Sequence, residues 1–140
     1  MAERHVRDLP PVPPQAYLRA VRAELAIGTL DEALSRSRRI GLHIYDARLC
    51  RLRGEAILMR DSSMIAQAEE SFRKGIGIAR SQSAKSWELR ATTSLARLLA
   101  KEGKREEARA MLAEIYNWFT EGFDTADLKD ARALLDELSA

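Results

Sequence analysis

The sequence predicts an all-α fold, an α-solenoid of about three helical hairpins closed by a C-terminal capping helix. Ala, Leu, Arg and Glu, which are all good helix formers, dominate the 140 residues. No segment alternates polar and apolar residues with the period of two that a half-buried strand shows. All four prolines lie between Pro10 and Pro14, so proline does not interrupt the rest of the chain.

The prolines also indicate how the chain is divided. Residues 1–13 are predicted to form an extended, flexible leader, and residues 14–140 a single helical repeat domain. A mixture of 46% hydrophobic and 31% charged residues provides enough apolar material for one core. The P-x-x-P spacing in the leader also occurs in ligands of SH3-type domains, but such runs are more often linkers or helix starts.

Glycines and short polar clusters predict where the helices begin and end. Gly28, Gly41 and Gly103 are expected to end helices, because glycine commonly follows a helix C-terminus. Asp31 is expected to open the second helix, and residues 61–63 to form a turn with an N-cap. The predicted helices cover about 15–27, 31–40, 45–60, 64–80, 85–102, 104–119 and, after a cap at Asp124 or Thr125, the residues up to 138.

A recurring alanine indicates how these helices pair. Ala33, Ala68 and Ala108 are 35 and 40 residues apart, close to the 34-residue tetratricopeptide period. Each is expected early in the second helix of a hairpin, where a neighbouring backbone comes close. A larger residue follows four positions later in two of the three units, as Phe72 and Leu112. The first unit lacks such a residue.

Other small residues are expected where adjacent helices approach closely. Val21, Gly54 and Ala96 occupy this place in the three first helices, and Gly75 in a second helix. The last helix has an apolar stripe with three-and-four spacing, which predicts that it covers the open end of the stack near Trp118 and Phe119. The stripe comprises Leu128, Ala131, Leu134, Leu135 and Leu138.

Several runs of residues within about 45–138 are similar to a known family. The most specific is 118–125 (WFTEGFDT), and the others are 51–55 (RLRGE), 68–73 (AEESFR), 86–91 (SWELRA) and 94–98 (SLARL). Together they resemble the C-terminal tetratricopeptide region of bacterial regulators that join an adenylate or guanylate cyclase-like domain to an AAA-type ATPase. The resemblance implies a helical-repeat fold with a regulatory or scaffolding role in signalling. It does not imply catalysis, because the cyclase and ATPase domains lie outside these runs.

The composition indicates which kinds of partner and which cellular location to expect. The chain has 23 basic and 21 acidic residues and no basic arm, so nucleic-acid binding is not favoured. No run approaches the roughly 18 apolar residues of a membrane span, and the N-terminus lacks a secretory signal. The sequence therefore predicts a cytoplasmic protein without a membrane partner. The lone Cys50 excludes an intrachain disulfide and is expected to be a small buried hydrophobe.

Motifs that would indicate catalysis, metal binding or nucleotide binding are scarce. His5 and His43 have no Cys, Asp or Glu at a recognised ligand spacing, whereas zinc sites typically combine several Cys and His. The chain has no Walker-type glycine loop. Gly75 and Gly77 lie within a helical run and do not follow a strand, as a dinucleotide site requires. The protein is therefore expected to be no enzyme and to use no cofactor or metal.

One surface pattern favours binding. In tetratricopeptide proteins the first helices of successive hairpins line a concave groove, and this mapping gives a groove rich in arginine. Arg48 and Arg51 are three residues apart, and Arg90 and Arg97 seven, so each pair lies along one helix face. Guanidinium groups can bind carboxylates in a bidentate way. The predicted groove residues are Arg22, Arg48, Arg51, Glu55, Arg90, Arg97 and Lys101.

The sequence thus predicts a non-catalytic scaffold that binds a protein or peptide, in particular an acidic one, in this groove. The alternative is a regulatory C-terminal repeat domain, or a split-gene remnant, of a cyclase- or ATPase-type signalling or transcription regulator. A weaker alternative is salt-dependent binding of RNA or DNA by the arginines. A solvated helix face would explain the same arginines without any ligand. Formation of a homo-oligomer is compatible with the sequence.

Overall fold

The computed structural model describes residues 14–140, and over this range the chain forms six α-helices and no β-strand. The all-α class is therefore confirmed, and the predicted leader at 1–13 lies outside the described residues. Within the described range, no helix is long and apolar enough to cross a membrane. The helices are α1 (Pro14–Ile40), α2 (Asp46–Arg60), α3 (Ile65–Ser81), α4 (Lys85–Lys101), α5 (Arg105–Tyr116) and α6 (Ala126–Ser139).

Short turns make consecutive helices neighbours, and two further contacts define the arrangement. Helix α2 packs against α4, and α4 packs against α6, so these three helices form a row. Helix α3 packs on α2 and α4, and α5 packs on α4 and α6. Helix α1 contacts α2 alone among the described helices. The row of α2, α4 and α6 therefore has one side covered by α3 and α5.

Helix α4 is the centre of the core. Between Glu88 and Leu99 every residue of this helix is buried except Arg90 and Arg97. Burying one large aliphatic side chain contributes about 1.5–3 kcal/mol relative to leaving it exposed, so α4 anchors the helices around it. Among residues 14–140 the largest fully buried side chains are those of Phe72, Leu89, Leu95, Leu99, Leu112 and Thr92.

The close approach of α2 and α3 depends on two glycines, as the sequence predicts. A Cβ atom on Gly54 would overlap the ring of Phe72, at 2.7 Å from Cδ1 and closer still to Cε1, and this side chain is fully buried. A Cβ atom on Gly75 would lie 3.1 Å from the carbonyl oxygen of Ala47. Ala68 and Ala108 are also fully buried, each at the fourth position of its helix. The predicted small-residue positions are confirmed for these two units.

The first predicted hairpin is wrong, because residues 15–27 and 31–40 form the single helix α1. Gly28 is exposed and has no neighbouring atom within 4 Å of its Cβ position. One glycine inside a helix costs only about 1 kcal/mol relative to alanine, and no proline forces a break. The side chain of Asp31 does not open a helix but accepts a hydrogen bond from Arg53 Nε at 2.6 Å.

The continuous α1 also changes the roles of two small residues. Ala33 lies in the middle of a helix rather than early in a second one, and it is half-buried. Val21 does not mediate close helix contact, because 54% of its surface is exposed. The first of the three repeat units inferred from the sequence is therefore absent from the structure.

Two of the predicted glycine helix ends are confirmed. Gly41 and Gly103 have φ angles of 70° and 82°, in the left-handed region that glycine tolerates. The helix predicted over 104–119 corresponds to α5, which ends earlier than predicted, at Tyr116. Thr125 occupies the predicted N-cap position of α6 with an extended backbone, but its hydroxyl donates to the carbonyl of Gly122 rather than to α6.

Helix α6 packs against α4 and α5 through the predicted apolar stripe. Four of the five stripe residues are buried, and the fifth, Leu135, is half-buried. Trp118 does not fasten this helix to the core, because 56% of its surface is exposed. Its ring contacts Phe119 edge-on and lies beneath Lys85 Nζ, 5.4 Å from the ring centre.

Candidate functional site

The exposed strip of α4 meets α2 at a cluster of arginines. Arg90 and Arg97 are the exposed residues in the buried stretch of α4, and Arg48 and Arg51 lie on the neighbouring α2. Arg48, Arg51 and Arg90 line one narrow crevice together with Trp87, and this crevice is too small to hold a water molecule. Arg51, Arg90 and Arg97 line an adjacent cleft. The surface formed by Arg48, Arg51, Arg90 and Arg97 is called the arginine face below.

Helix α6 supplies two carboxylates to this surface. Arg90 Nε donates to both carboxylate oxygens of Asp127 at 2.9 Å. Arg97 Nη2 donates to Asp130 Oδ2 at 2.7 Å. Both pairs are partly exposed, and such pairs are typically worth about 0–1 kcal/mol each. Their main consequence is positional, because they fix two guanidinium groups at the edge of the cleft.

Arg51 differs from the other two arginines of the cleft in its burial and in its hydrogen bonds. It is half-buried, and within residues 14–140 its guanidinium forms no hydrogen bond to another side chain. Burial lowers the pKa of Arg51 from its ordinary value, and the positive charges of Arg90 and Arg48 lower it further. Glu55 and Asp127 act in the opposite direction. The environment of Arg51 therefore disfavours its positive charge more than bulk water does.

The cleft is polar and small. It has a volume of about 200 Å³, and Thr93 and Ser94 on α4 complete its lining. Three guanidinium groups face two carboxylates, from Asp127 and Asp130, so the lining carries a net charge of +1. A negatively charged group of the size of a carboxylate is the natural complement to such a lining.

The structure brings together four of the seven predicted groove residues. Glu55 also lies on α2 close enough to influence the charge of Arg51. Arg22 lies on α1, which among the described helices contacts α2 alone, and Lys101 is the last residue of α4. Neither Arg22 nor Lys101 lines the crevice or the cleft. The structure thus brings the four arginines together and places Arg22 and Lys101 outside these two features.

Sequence reasoning missed Asp127 and Asp130, the acidic partners of the arginine face. They are three residues apart and flank Leu128, which belongs to the apolar stripe of α6. A stripe that docks on α4 must place its flanking residues beside the polar strip of α4. This spacing is the signal that could have identified both carboxylates as partners of Arg90 and Arg97.

A second polar cluster joins the end of α1 to the start of α2. His43 Nδ1 lies 2.9 Å from Ser37 Oγ and 2.9 Å from Asp46 Oδ2, and Ser37 Oγ donates to Asp46 Oδ1 at 2.7 Å. A catalytic Ser-His-Asp triad uses the two ring nitrogens separately, one for serine and one for aspartate. Here both partners share Nδ1 and the serine is buried, so the geometry is that of a structural cluster.

Metal coordination has no obvious place in the described part of the chain. No group of three or more His, Cys, Asp or Glu side chains in residues 14–140 is arranged to hold a metal ion. The arginine face is therefore the feature with the most definite chemical preference, for an anionic group.

Comparisons of the chain with protein-family models, with curated proteins and with solved structures found no match.

Proposed function

We propose that the protein is a non-catalytic scaffold whose arginine face binds an acidic segment of a partner protein. The segment would lie across α2 and α4, with one of its carboxylates in the cleft beside Arg51. The observation that carries this proposal is the half-buried guanidinium of Arg51, which has no side-chain hydrogen bond within residues 14–140 and has two further guanidinium groups nearby.

The proposed architecture that supports this role is a short tetratricopeptide-like solenoid. In this description α2–α3 and α4–α5 are the two hairpins, α6 is the capping helix and α1 precedes the stack. The support is the matching pair of positions in the two hairpins, where Ala68 and Phe72 correspond to Ala108 and Leu112, all fully buried. The first helices of such hairpins, together with the cap, form the row that carries the arginine face.

An acidic peptide fits the arginine face better than a small ligand does. Arg48 is exposed and Arg51 is half-buried one turn later on α2, so an extended chain can contact both at successive positions. Asp127 and Asp130 already partner Arg90 and Arg97. Arg48 and Arg51 are therefore the groups expected to gain most from an added carboxylate.

The test is binding of a fluorescein-labelled oligo-glutamate peptide, followed by fluorescence anisotropy at several salt concentrations. Wild-type protein should bind, and the affinity should fall as salt screens the charges. Arg48→Glu/Arg51→Glu should weaken binding at least about tenfold, because two attractive contacts become repulsive. Both side chains are at least partly exposed, so the fold should persist, as circular dichroism can check.

The matched control is Arg38→Glu/Arg39→Glu. It makes the same change in net charge at two exposed residues in the last turn of α1, away from the arginine face. This variant should keep wild-type affinity within about twofold. Equal losses in both double variants would reject the arginine face in favour of a general charge effect. Tighter binding of single-stranded RNA than of the peptide would favour the nucleic-acid alternative.

A second candidate function is a regulatory repeat domain of a cyclase- or ATPase-type regulator. The observation in its favour is Trp118, which begins the most specific run of the resemblance and is mostly exposed. An exposed tryptophan beside Lys85 is suited to contact with another protein domain. A cyclase or ATPase reading frame next to the gene, whose product co-purifies with wild-type protein but not with Trp118→Ala, would support this function.

A further inference from the structure

The first predicted hairpin is absent from the structure, but its sequence pattern is present. Aligned without a gap, residues 21–40 and residues 96–115 share an arginine, a glycine, a Glu-Ala pair and a final isoleucine. Gly28 thus corresponds to Gly103, at which the chain turns from α4 into α5. The segment of α1 before Gly28 therefore corresponds to α4, the first helix of a hairpin, and the rest of α1 corresponds to α5.

Residues that are buried in the α4–α5 pair have exposed counterparts in α1. Ala96 in α4 is fully buried, whereas its counterpart Val21 is 54% exposed. Ile115 in α5 is 4% exposed, whereas its counterpart Ile40 is 62% exposed. Helix α1 runs straight through Gly28, so its two halves do not pack on each other as α4 and α5 do. Each half therefore keeps an apolar side that a hairpin would cover.

The place of the missing first helix is an open groove between α1 and α2. Helix α4 packs both on α5 and on α6, the next helix of the row. A helix in the corresponding place before α2 would pack on the second half of α1 and on α2, and a groove of about 430 Å³ lies between these two elements. The apolar residues that line this groove are Ala33, Ile40, Leu42, Tyr45 and Leu49.

The segment before Gly28, residues 14–27, has an apolar side that fits such a groove. Four side chains on this side are each at least half exposed: Tyr17, Leu18, Val21 and Leu25. At 100° per residue they lie opposite Ala23, which is buried against α2. The segment can therefore pack on its own α2 with one side and fill a second groove with the other.

A continuous α1 cannot place this segment in the groove of its own chain. At 1.5 Å per residue the segment extends about 20 Å beyond Gly28, away from the groove. Folding it back would remove the buried Ala23 and Ile27 from α2 and would break the pair of Glu24 and Arg60. A second copy can supply the same segment while α1 keeps the observed conformation.

We propose that residues 14–27 of one copy of this chain occupy the groove between α1 and α2 of a second copy, which returns the same contact. The two α1 helices then run antiparallel about a two-fold axis near Gly28, which has no side chain to hold them apart. Exchange of an identical element is a low-cost route to a closed dimer. The inference rests on the proposed repeat architecture and not on the arginine face.

The first test measures mass against concentration by light scattering and sedimentation. Wild-type protein should be dimeric at about 100 µM. Val21→Glu in the segment and Ile40→Lys in the groove should each be monomeric there, because each puts an unpaired charge into the contact. Phe123→Glu, an equivalent change at an exposed residue in the turn before α6, should dimerise as wild type does. A wild-type protein that is monomeric up to about 1 mM overturns the proposal.

The second test mixes the two monomeric variants. The Ile40→Lys copy has an intact segment and the Val21→Glu copy an intact groove, so a mixed pair has one native contact and one that joins opposite charges. Native mass spectrometry should therefore detect mixed dimers. A mixture that stays monomeric, or an Ile40→Lys protein that dimerises as wild type does, overturns the proposal. Both variants should still bind the oligo-glutamate peptide, so the proposed function is tested separately.

Discussion

At the scale of single residues, Gly54 marks the tightest contact between two helices. An added methyl group would overlap the ring of Phe72, and this ring is fully buried, so it has no free space to move into. We predict that Gly54→Ala lowers the free energy of unfolding by about 1–3 kcal/mol, the usual cost of overpacking a core. Urea denaturation monitored by circular dichroism measures this loss.

Two variants separate overpacking from a general effect of alanine in a helix. Gly77 is exposed in the same α3 as Phe72, with no atom within 4 Å of its Cβ position. Gly77→Ala should raise stability by about 0.4–1 kcal/mol. Combining Gly54→Ala with Phe72→Leu should cost less than the sum of the two single changes. A stabilised or unchanged Gly54→Ala protein would contradict the packing described for α2 and α3.

The buried thiol of Cys50 gives a pH-dependent prediction. Burial raises the pKa of Cys50 above its ordinary value, with Lys74 opposing the shift. The unfolded thiol ionises near its ordinary pKa of about 8.5, whereas the folded one stays protonated to higher pH. The unfolded state therefore binds fewer protons above this pH, and the free energy of unfolding falls as pH rises.

Denaturation at a series of pH values between about 7 and 10 tests this prediction about Cys50. The wild-type protein should lose stability relative to Cys50→Ala above about pH 8.5, with a slope of at most about 1.4 kcal/mol per pH unit. The difference between the two proteins removes the contribution of tyrosines and lysines. Parallel curves for the two proteins would show that the thiol ionises equally easily in both states.

The positions that require small or buried residues were predictable from the sequence, but the partners of the charged side chains were not. The small residues Gly54, Ala68 and Ala108 and the buried Cys50 follow from residue volume and periodicity. The partners of Arg90 and Arg97 depend on how far α6 is turned and shifted against α4. Such a shift does not change the helix propensity of α4 or α6, so neither helix sequence taken alone indicates which residues will pair.

At the scale of helices, boundaries were predictable where a backbone feature ends the helix. Gly41 and Gly103 adopt left-handed conformations and were identified correctly. Gly28 is also a glycine, but it lies within a regular helix, because Ile27 before it and Leu30 after it pack against α2. Packing along a continuous face outweighs the small preference of one glycine for a helix end.

The apolar stripe of α6 supports a prediction with an internal control. Leu134 is buried, with 7% of its surface exposed, whereas its neighbour Leu135 is half-buried. Leu134→Ala should lower the free energy of unfolding by about 2–5 kcal/mol, and Leu135→Ala by clearly less. Thermal or urea denaturation of both variants measures the difference. Equal losses would mean that α6 is rotated about its axis relative to the described packing.

At the scale of the whole molecule, the cleft at the arginine face exists because three helices form a row. Helix α2 contributes Arg51, α4 contributes Arg90 and Arg97, and α6 contributes the two aspartates. The aspartates occupy the place that an acidic partner would take on Arg90 and Arg97. The protein's own C-terminal helix therefore limits how much positive charge the arginine face presents to other molecules.

This arrangement predicts that removing the internal carboxylates strengthens binding. Asp127→Asn/Asp130→Asn frees two guanidinium groups, and the oligo-glutamate peptide should bind about fivefold more tightly, with a steeper dependence on salt. The loss in unfolding free energy should stay near 0–1 kcal/mol per pair, because both pairs are partly exposed. Asp136→Asn, which breaks the Arg132 pair on the same helix, should not change the affinity. Unchanged or weaker binding by the double variant would show that Arg90 and Arg97 serve only to hold α6 in place.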